Sequence, residues 1–438
     1  MPTITFYMEQ RMYFPRIIAL LMAVFLFSAH GCMFSNRIMK DNTQPRYIIF
    51  MVPDGMGLAD VTAARIYRNG PQGKPLYLER LPYIGYQKTY SRNSMITDSA
   101  AAASAWASGE KFNNDALSCL DQNTDGICDG TRKNHLTILE SAQKMGLDAG
   151  LVVTSEITHA TPAAWAVHVH HRECGSEIFE QYLARDIKVL LGGGIETNRD
   201  HCLLPHTDDS YNKRLLKRAE QYGYRLVYSR DELLEAPAME KLIGLFHFEG
   251  LTPVYLRERH SIEPTLAQMT QVALNHLNRN PQGFFLIVEG SQIDWANHER
   301  DFPYQIHETL AFDESVKGVW DWIQSSRERK QNTLLIVAAD HECGGVIIEG
   351  PKNRLSQSGP ADAFITNEQE KPNTSREGQP LKGSDLEITF SSNADNPEDD
   401  AEHTGVDTLI WSNSPRCARA LDNTDLYHIM MDFLYKTK

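Results

Sequence analysis

Positive charge is in short supply in this chain of 438 residues. Lysine and arginine together number 43, against 57 aspartates and glutamates, and the formal net charge is -14. Because no basic tract is present, no nucleic-acid-binding surface is expected. An acidic protein that handles an anionic ligand must supply local positive charge from metal ions or from arginine.

The chain also lacks a long apolar segment near its start. The apolar run at residues 17–27 follows Arg11 and Arg16 and ends before small residues, and it is too short to span a membrane comfortably. This arrangement is typical of a secretory signal. We therefore expect a signal peptide over 1–31, a linker over 32–45 and export to the periplasm.

The end of this signal resembles a bacterial lipoprotein box, in which the cysteine is lipidated. The residues concerned are Ala29-His30-Gly31-Cys32, and Ala29 and His30 depart from the usual form of the box. A lipoprotein with a lipid anchor at Cys32 and an unanchored periplasmic protein are therefore both compatible with the sequence.

Cysteine is sparse, and six residues remain besides Cys32. An even number in an exported protein permits disulfides, although the sequence does not determine their pairing. Local spacing favours Cys119 with Cys128 first and Cys174 with Cys202 second.

Continuous apolar runs predict strands that are covered on both faces. They lie at residues 47–52, 149–155, 189–191, 284–288 and 333–339, and segments such as 136–145 and 264–277 between them have helical periodicity. Strands that alternate with helices predict an α/β fold, a three-layer sandwich with a mostly parallel central sheet and helices on both faces. The polar stretch 346–400 predicts a surface insertion in a domain over 46–438.

Residue types that bind metals follow the ends of four of these strands. They are Asp54, the segment 158–161 with His159 and Thr161, Glu289, and the pair Asp340 and His341. Ligands gather beyond the carboxyl ends of parallel strands, so one site is predicted there. A single aspartate at a strand end is more often a helix cap or turn residue, but four such ends in succession argue against that interpretation.

An alanine-rich run begins directly after Ser99 and ends before Gly109. Thr97 and Asp98 favour helix caps and alanine favours helix, so a helix is predicted to begin at Ser99. Its free N–H groups and positive dipole end favour an anion, either a bound phosphate or the serine's own alkoxide. Ser99 is therefore a candidate nucleophile, although this stretch alone is more typical of an ordinary buried helix.

Over residues 46–435, roughly, the chain resembles the alkaline phosphatase family. The resemblance rests on eight motifs in the family's order: Pro53-Asp54-Gly55-Met56-Gly57, Thr97-Asp98-Ser99-Ala100-Ala101, Thr158-His159-Ala160-Thr161-Pro162, Arg172, Val288-Glu289-Gly290, Asp294 to His298, Ala339-Asp340-His341, and His403-Thr404-Gly405. Each motif is weak alone, and the eight together are specific. The resemblance implies metal-dependent hydrolysis of phosphate monoesters through a phosphoserine intermediate at alkaline pH.

The resemblance also implies two Zn²⁺ and one Mg²⁺. Their ligands would be Asp294, His298 and His403 for the first zinc, Asp54, Asp340 and His341 for the second zinc beside Ser99, and Asp54, Thr161 and Glu289 for magnesium. The chemistry agrees, because histidine with carboxylate suits zinc and all-oxygen ligands suit magnesium. Asp294 and His298 share a face if their segment is helical. Two zinc ions about 4 Å apart would clamp an in-line displacement at phosphorus.

Three further residues take roles from the resemblance. Arg172 would bind two phosphate oxygens with its planar guanidinium. His159 and Trp295 stand at positions that differ between subgroups of the family, and neither is expected to be a direct ligand. His159 is expected to order waters around the magnesium, whereas Trp295 supplies no charge, so more of the phosphate binding falls to Arg172. A homodimer is suggested as well, although some relatives are monomers.

A second metal site is predicted outside these motifs. Asp121, Asn123 and Asp125 have the alternating oxygens of a Ca²⁺ loop, and a glycine turn follows them. Because Cys119 and Cys128 bracket the segment, the alternative is a turn that is held by a disulfide and binds no metal.

Rival functions come from related enzymes and from binding proteins. Sulfatases usually carry a modified cysteine or serine followed by proline and arginine, which the residues after Ser99 lack. Diesterases commonly use threonine as nucleophile and lack the arginine, so Ser99 with Arg172 favours monoesters. A non-catalytic exported protein that binds metal or phosphate is the alternative outside enzymes, and the presence of Ser99 with every metal position argues against it. The natural substrate is left open.

Overall fold

The computed structural model describes residues 46–120, 128, 136–194, 209–238, 240–258, 261–349, 386–393 and 399–435. The chain divides into two units, Met1–Gln44 and Pro45–Lys438, and the described residues all belong to the second. In these ranges no helix is both long and apolar enough to cross a membrane.

Several predictions concern residues outside these ranges. They are the signal peptide, the linker, the lipid anchor at Cys32, and the Ca²⁺ loop with Asp121, Asn123 and Asp125. All of them stay predictions, as does the homodimer.

Fourteen strands occur in the described residues: β1 (Arg46–Pro53), β2 (Tyr83–Lys88), β3 (Asp148–Glu156), β4 (Val189–Gly193), β5 (Tyr224–Val227), β6 (Lys241–Leu245), β7 (Gly283–Gly290), β8 (Thr333–Ala338), β9 (Glu342–Cys343), β10 (Val346–Glu349), β11 (Glu387–Phe390), β12 (His403–Thr404), β13 (Thr408–Ser412) and β14 (Ala420–Asp422). Ten of them form one sheet in the order β14-β2-β13-β8-β1-β7-β3-β4-β6-β5. Within this sheet only β13 pairs antiparallel with its neighbours. The predicted mostly parallel sheet is therefore confirmed.

Helices connect most of these strands. Those described are Leu58–Asn69, Ser99–Ser108, Ile138–Lys144, Ala160–Ala166, Gly175–Ala184, Asp209–Gln221, Arg230–Glu235, Leu266–Leu277, Gln292–His298, Phe302–Gln324, Arg327–Asn332 and Asn423–Tyr435. The helices predicted within 136–145 and 264–277 are confirmed, and each begins at a threonine capping box, Thr137 or Thr265. Such a box satisfies two free N–H groups of the first turn, which accounts for where these helices start.

Side chains of β1 alternate between two apolar layers. Phe50 belongs to the layer that contains Trp106 and Trp165, and its ring centroid lies 4.9 Å from each of theirs. Met51 belongs to the opposite layer, with side chains of the helix Phe302–Gln324. Because both faces of the strand are covered, its sequence is a continuous apolar run. The predicted three-layer sandwich is confirmed.

The edges of the sheet carry elements that the sequence did not indicate. β2 and β13 pair antiparallel on one side, and β5 and β6 extend the other side from a weakly patterned region. In the polar stretch 346–400, β10 pairs antiparallel with β11, so the two ends of the predicted insertion meet.

The predicted disulfide between Cys119 and Cys128 is confirmed. Cys174 is also disulfide-bonded, while Cys202, its predicted partner, lies outside the described residues. Cys343 and Cys417 are free and buried.

Candidate active site

Three adjacent parallel strands, β8, β1 and β7, bring buried carboxylates to one edge of the sheet. Asp54 directly follows β1, Glu289 is the last residue but one of β7, and Asp340 comes shortly after β8. All three are fully buried. The predicted site at the carboxyl ends of the strands is therefore a compact cluster, as expected for a parallel sheet.

Gly55 holds two of the acidic loops together. Its N–H donates to Asp340 Oδ1 over 3.1 Å, and a Cβ at this position would lie 2.6 Å from Asp294 Oδ1. Its φ of +70° is also rarely adopted by other residues. Glycine is therefore needed for Asp294 to approach Asp54.

Ser99 begins its helix as predicted. Asp98 caps this helix by accepting a hydrogen bond from the Ala101 N–H over 2.9 Å, and Gly109 ends it in the left-handed conformation. Ser99 is 2% exposed, and its Oγ lies 3.2 Å from His341 Nε2. A hydroxyl at a helix N-terminus faces backbone donors and a positive dipole end, both of which favour an anion.

A first cluster combines one carboxylate with two imidazoles. Asp294 Oδ2 lies 3.4 Å from His298 Nε2, and Asp294 Oδ1 lies 3.5 Å from His403 Nε2. The other ring nitrogens of these histidines contact the carbonyl oxygens of Ala401 and Thr97, which orients both Nε2 atoms toward Asp294. The two Nε2 atoms are 3.1 Å apart. Such an arrangement requires a proton or a cation between them.

The charges within this cluster stabilise one another. Burial acts to raise the pKa of Asp294, but the hydrogen bonds and charges of the histidines outweigh it and hold that pKa well below its usual value. Burial alone would lower the pKa of His298, but its hydrogen bond with Asp294 and the charge of that carboxylate outweigh burial and raise the pKa of His298 to about 9. The pocket therefore favours positive charge next to Asp294.

A second cluster lies beside Ser99. His341 Nε2 is 3.6 Å from Asp54 Oδ1 and 3.2 Å from Asp340 Oδ2. Burial raises the pKa of Asp54 well above its usual value, and the charges of neighbouring carboxylates raise it further. Burial also lowers the pKa of His341 to about 4, so this imidazole is neutral and its lone pair is free to bind a cation.

A third cluster contains Asp54, His159 and Glu289, each of which has one potential ligand atom within 4.8 Å of the others. Burial raises the pKa of Glu289 to about 7. Thr161 is fully buried, and its hydroxyl lies beside Glu289. His159 was expected to act through waters, and this distance equally allows it to bind a cation directly.

Several buried polar atoms of these clusters have no hydrogen-bond partner among the residues that the structure describes. They are both carboxylate oxygens of Asp54 and of Glu289, one oxygen each of Asp294 and Asp340, the Thr161 hydroxyl and His341 Nδ1. Buried polar groups without partners are costly, and so many in one place indicate bound cations. The residues present therefore fit a multi-metal centre.

Arg172 lies beside the third cluster and lines the same cleft as Ser99. Its Nη1 donates to Asp98 Oδ2 over 3.0 Å, and its Nη2 lies 3.3 Å from His159 Nε2. The two contacts orient the guanidinium without using all five of its donors. The ring of His159 in turn meets the Trp295 ring edge to face, with centroids 6.0 Å apart.

A cleft of about 660 Å³ joins these groups. The predicted residues that line it are Ser99, His159, Arg172, Asp294, Trp295, His298 and His403. Ser99 and Arg172 therefore face the same space as the first metal-binding cluster.

Two neighbours of the site were not predicted to take part in it. Asp98 was expected only to cap a helix, but its second oxygen binds Arg172. Cys343 was considered only for disulfides, although it lies among Asp294, His298 and His403. Its position two residues after His341 was the one available signal.

Comparison with known proteins agrees with this geometry. Residues 45–435 match the family model described as alkaline phosphatase. The chain is 32% identical to alkaline phosphatase of Escherichia coli K12, with 87% of this chain and 84% of the relative covered. It is 31% identical to streptomycin-6-phosphate phosphatase of Streptomyces griseus, with 87% of this chain and 89% of that relative covered.

The fold agrees with a solved structure as well. The crystal structure of a cold-active alkaline phosphatase from the psychrophile Shewanella sp. is similar with a TM-score of 0.69 at 26% identity, and covers 89% of this chain and 100% of that one. The family match spans all of the described residues, and the chain is therefore a member of the alkaline phosphatase family, whose members hydrolyse phosphate monoesters.

Proposed function

We propose that the chain hydrolyses phosphate monoesters through a phosphoserine formed on Ser99, at alkaline pH and with two Zn²⁺ and one Mg²⁺ bound. The observation that carries the proposal is the position of Ser99. Its hydroxyl lies at a helix N-terminus beside His341 and faces a cleft shared with Arg172 and the first metal-binding cluster.

The donor sets support the two kinds of cation. Asp294, His298 and His403 would hold one zinc, and Asp54, Asp340 and His341 the other, because carboxylate with imidazole suits zinc. Asp54, Thr161 and Glu289 would hold magnesium through oxygen. When bound, these cations supply Lewis acidity that stabilises the serine alkoxide and the charge on the leaving oxygen.

Ser99 performs the first displacement. Its oxygen forms a bond to phosphorus as the bond from phosphorus to the leaving alcohol breaks, and the serine proton passes to solvent while the alcohol takes one up. In the second displacement water attacks the phosphoserine, and the Ser99 oxygen leaves and regains a proton. We propose an alkaline optimum because the alkoxide fraction of Ser99 increases with pH.

Arg172 positions the phosphoryl group. The contacts with Asp98 and His159 hold its guanidinium toward the cleft, where the remaining N–H groups can bind two phosphate oxygens. His159 and Trp295 pack edge to face and so keep the guanidinium in place, while His159 is also close enough to Asp54 and Glu289 to contact the third cation.

Export and the quaternary state also remain proposals. The Cys119–Cys128 disulfide supports an oxidising compartment such as the periplasm. A lipid anchor at Cys32 and a homodimer are proposed on the sequence alone.

Arg172→Ala is expected to lower kcat/KM for p-nitrophenyl phosphate by about 100-fold and to weaken inhibition by inorganic phosphate, because two charge-assisted hydrogen bonds are lost. Arg172→Lys keeps the positive charge but not the bidentate geometry, so its kcat/KM should lie between those of the wild type and Arg172→Ala. Arg225→Ala, on the edge strand β5, is the control. Equal kinetics for all four proteins would remove Arg172 from the site.

The proposal is tested by hydrolysis of p-nitrophenyl phosphate and bis-p-nitrophenyl phosphate at alkaline pH. Monoester turnover should exceed diester turnover, disappear after dialysis against a chelator and return with Zn²⁺ and Mg²⁺. A preference for the bis-ester would instead indicate a diesterase. Full metal occupancy with no turnover of either ester would indicate a binding protein.

A further inference from the structure

The first metal-binding cluster contains a fourth candidate ligand. Asp294, His298, His403 and Cys343 each offer one ligand atom, and these atoms all lie within 4.8 Å of one another. We propose that the Cys343 thiolate is a direct ligand of the cation held by Asp294, His298 and His403. The inference rests on the proposed function only in requiring that those three residues bind a metal.

The backbone fixes Cys343 beside these ligands. Its N–H donates to the Gly55 carbonyl oxygen over 3.0 Å, and it pairs directly with His403 where β9 meets β12. Cys343 is fully buried. The backbone of Cys343 is thus held between the loop that carries Asp54 and the strand that carries His403.

A buried carboxylate oxygen at the centre of the cluster is incompletely satisfied. Asp294 is 6% exposed, and its Oδ1 lies 3.5 Å from His403 Nε2 but makes no hydrogen bond of ordinary geometry within the described residues. A cation there would satisfy this oxygen and the thiolate together. Cys417, the other free cysteine described, belongs to no potential metal cluster in the same residues.

The side from which Cys343 approaches leaves room for catalysis. Asp294, His298 and His403 line the cleft, and Cys343 does not. The thiolate would therefore bind the cation from the side that faces away from the cleft. A ligand from the cleft could still bind, because zinc in catalytic sites can expand from four ligands to five.

One carboxylate, two imidazoles and a thiolate are a donor set typical of zinc. Binding releases the thiol proton to solvent as the sulfur-metal bond forms, and no electrons are transferred. A thiolate ligand also favours soft cations such as Zn²⁺ over Mg²⁺ and Mn²⁺ at this position.

Substitution of Zn²⁺ by Co²⁺ tests the inference, because cobalt bound to thiolate has an intense sulfur-to-metal charge-transfer band in the near ultraviolet. We expect this band in the wild-type chain and in Cys417→Ser, and its loss in Cys343→Ser and Cys343→Ala. The weaker visible ligand-field bands should persist in all four proteins, which shows that the variants are folded and metal-loaded.

The outcomes separate this inference from the proposed function. Cobalt bound with ligand-field bands but no charge-transfer band in the wild type would overturn the Cys343 inference and leave the three-ligand site intact. Survival of the charge-transfer band in Cys343→Ser would also overturn the Cys343 inference. A chain that binds no cobalt would overturn both, and a charge-transfer band without monoester turnover would overturn only the proposed function.

Discussion

Ser99→Ala should lower kcat for p-nitrophenyl phosphate by about 1000-fold or more, because the substitution removes the atom that forms the covalent intermediate. The helix should remain, since alanine favours helix and Asp98 supplies the cap. Metal content should therefore match the wild type, and steady-state kinetics beside metal analysis gives the measurement.

Ser104→Ala is the matched control in the same helix. Its buried hydroxyl donates to the Ala116 carbonyl oxygen and accepts from the Ser118 N–H, so the substitution should cost about 1–3 kcal/mol of stability without affecting turnover of the folded protein. If Ser99→Ala kept activity within tenfold of the wild type, Ser99 would not be the nucleophile.

Asp54→Asn should have a large effect on metal binding, because Asp54 lies in two potential metal clusters and is the residue shared by the ligand sets proposed for the second zinc and the magnesium. We expect two of the three cations to be lost after dialysis and kcat/KM to fall by more than about 100-fold, since even residues that only orient ligands cost 10 to 100-fold. Metal per chain from elemental analysis, together with kinetics, tests this. Asp186→Asn at the surface is the control and should retain both metal and activity.

Whether the wild type or Asp54→Asn has the higher Tm should depend on whether metals are bound. Without metal, burial and the charges of Asp340 and Asp294 raise the pKa of Asp54, so the wild type loses stability as the pH increases from the usual carboxyl range toward that raised pKa. At pH 8 the metal-free Asp54→Asn protein should therefore have the higher Tm. With metals added, the wild type should have the higher Tm. A lower Tm for the variant in both conditions would contradict this.

The sequence predicted the central strands well because burial on both faces leaves a simple pattern. β1, β3, β7 and β8 contain continuous apolar runs, and β2, the one further strand of at least six residues in the described ranges, lacks such a run. The edge strand β5 and its neighbour β6 are short. The pairing of β6 with β4 and of β5 with β6 depends on contacts that no local pattern reveals.

The buried carboxylates of the candidate site were predicted from the ends of these same central strands. Asp54, Glu289 and Asp340 were predicted together because parallel strands place their carboxyl ends at one edge. The ion pair between Asp98 and Arg172 was not predicted, because it joins residues 74 positions apart and Asp98 already had a local explanation as a helix cap. The contact of Cys343 with the histidines likewise depends on the pairing of β9 with β12, two strands of two residues each.

The central claim is that Ser99 carries the phosphoryl group between the two displacements. The most direct measurement is peptide mass spectrometry of the metal-loaded chain after it is mixed with a phosphate monoester and quenched in acid. The account predicts one phosphoryl group per chain, on the peptide that contains Ser99, and none in Ser99→Ala. A phosphoryl group on another residue, or sustained turnover with none on Ser99, would contradict it.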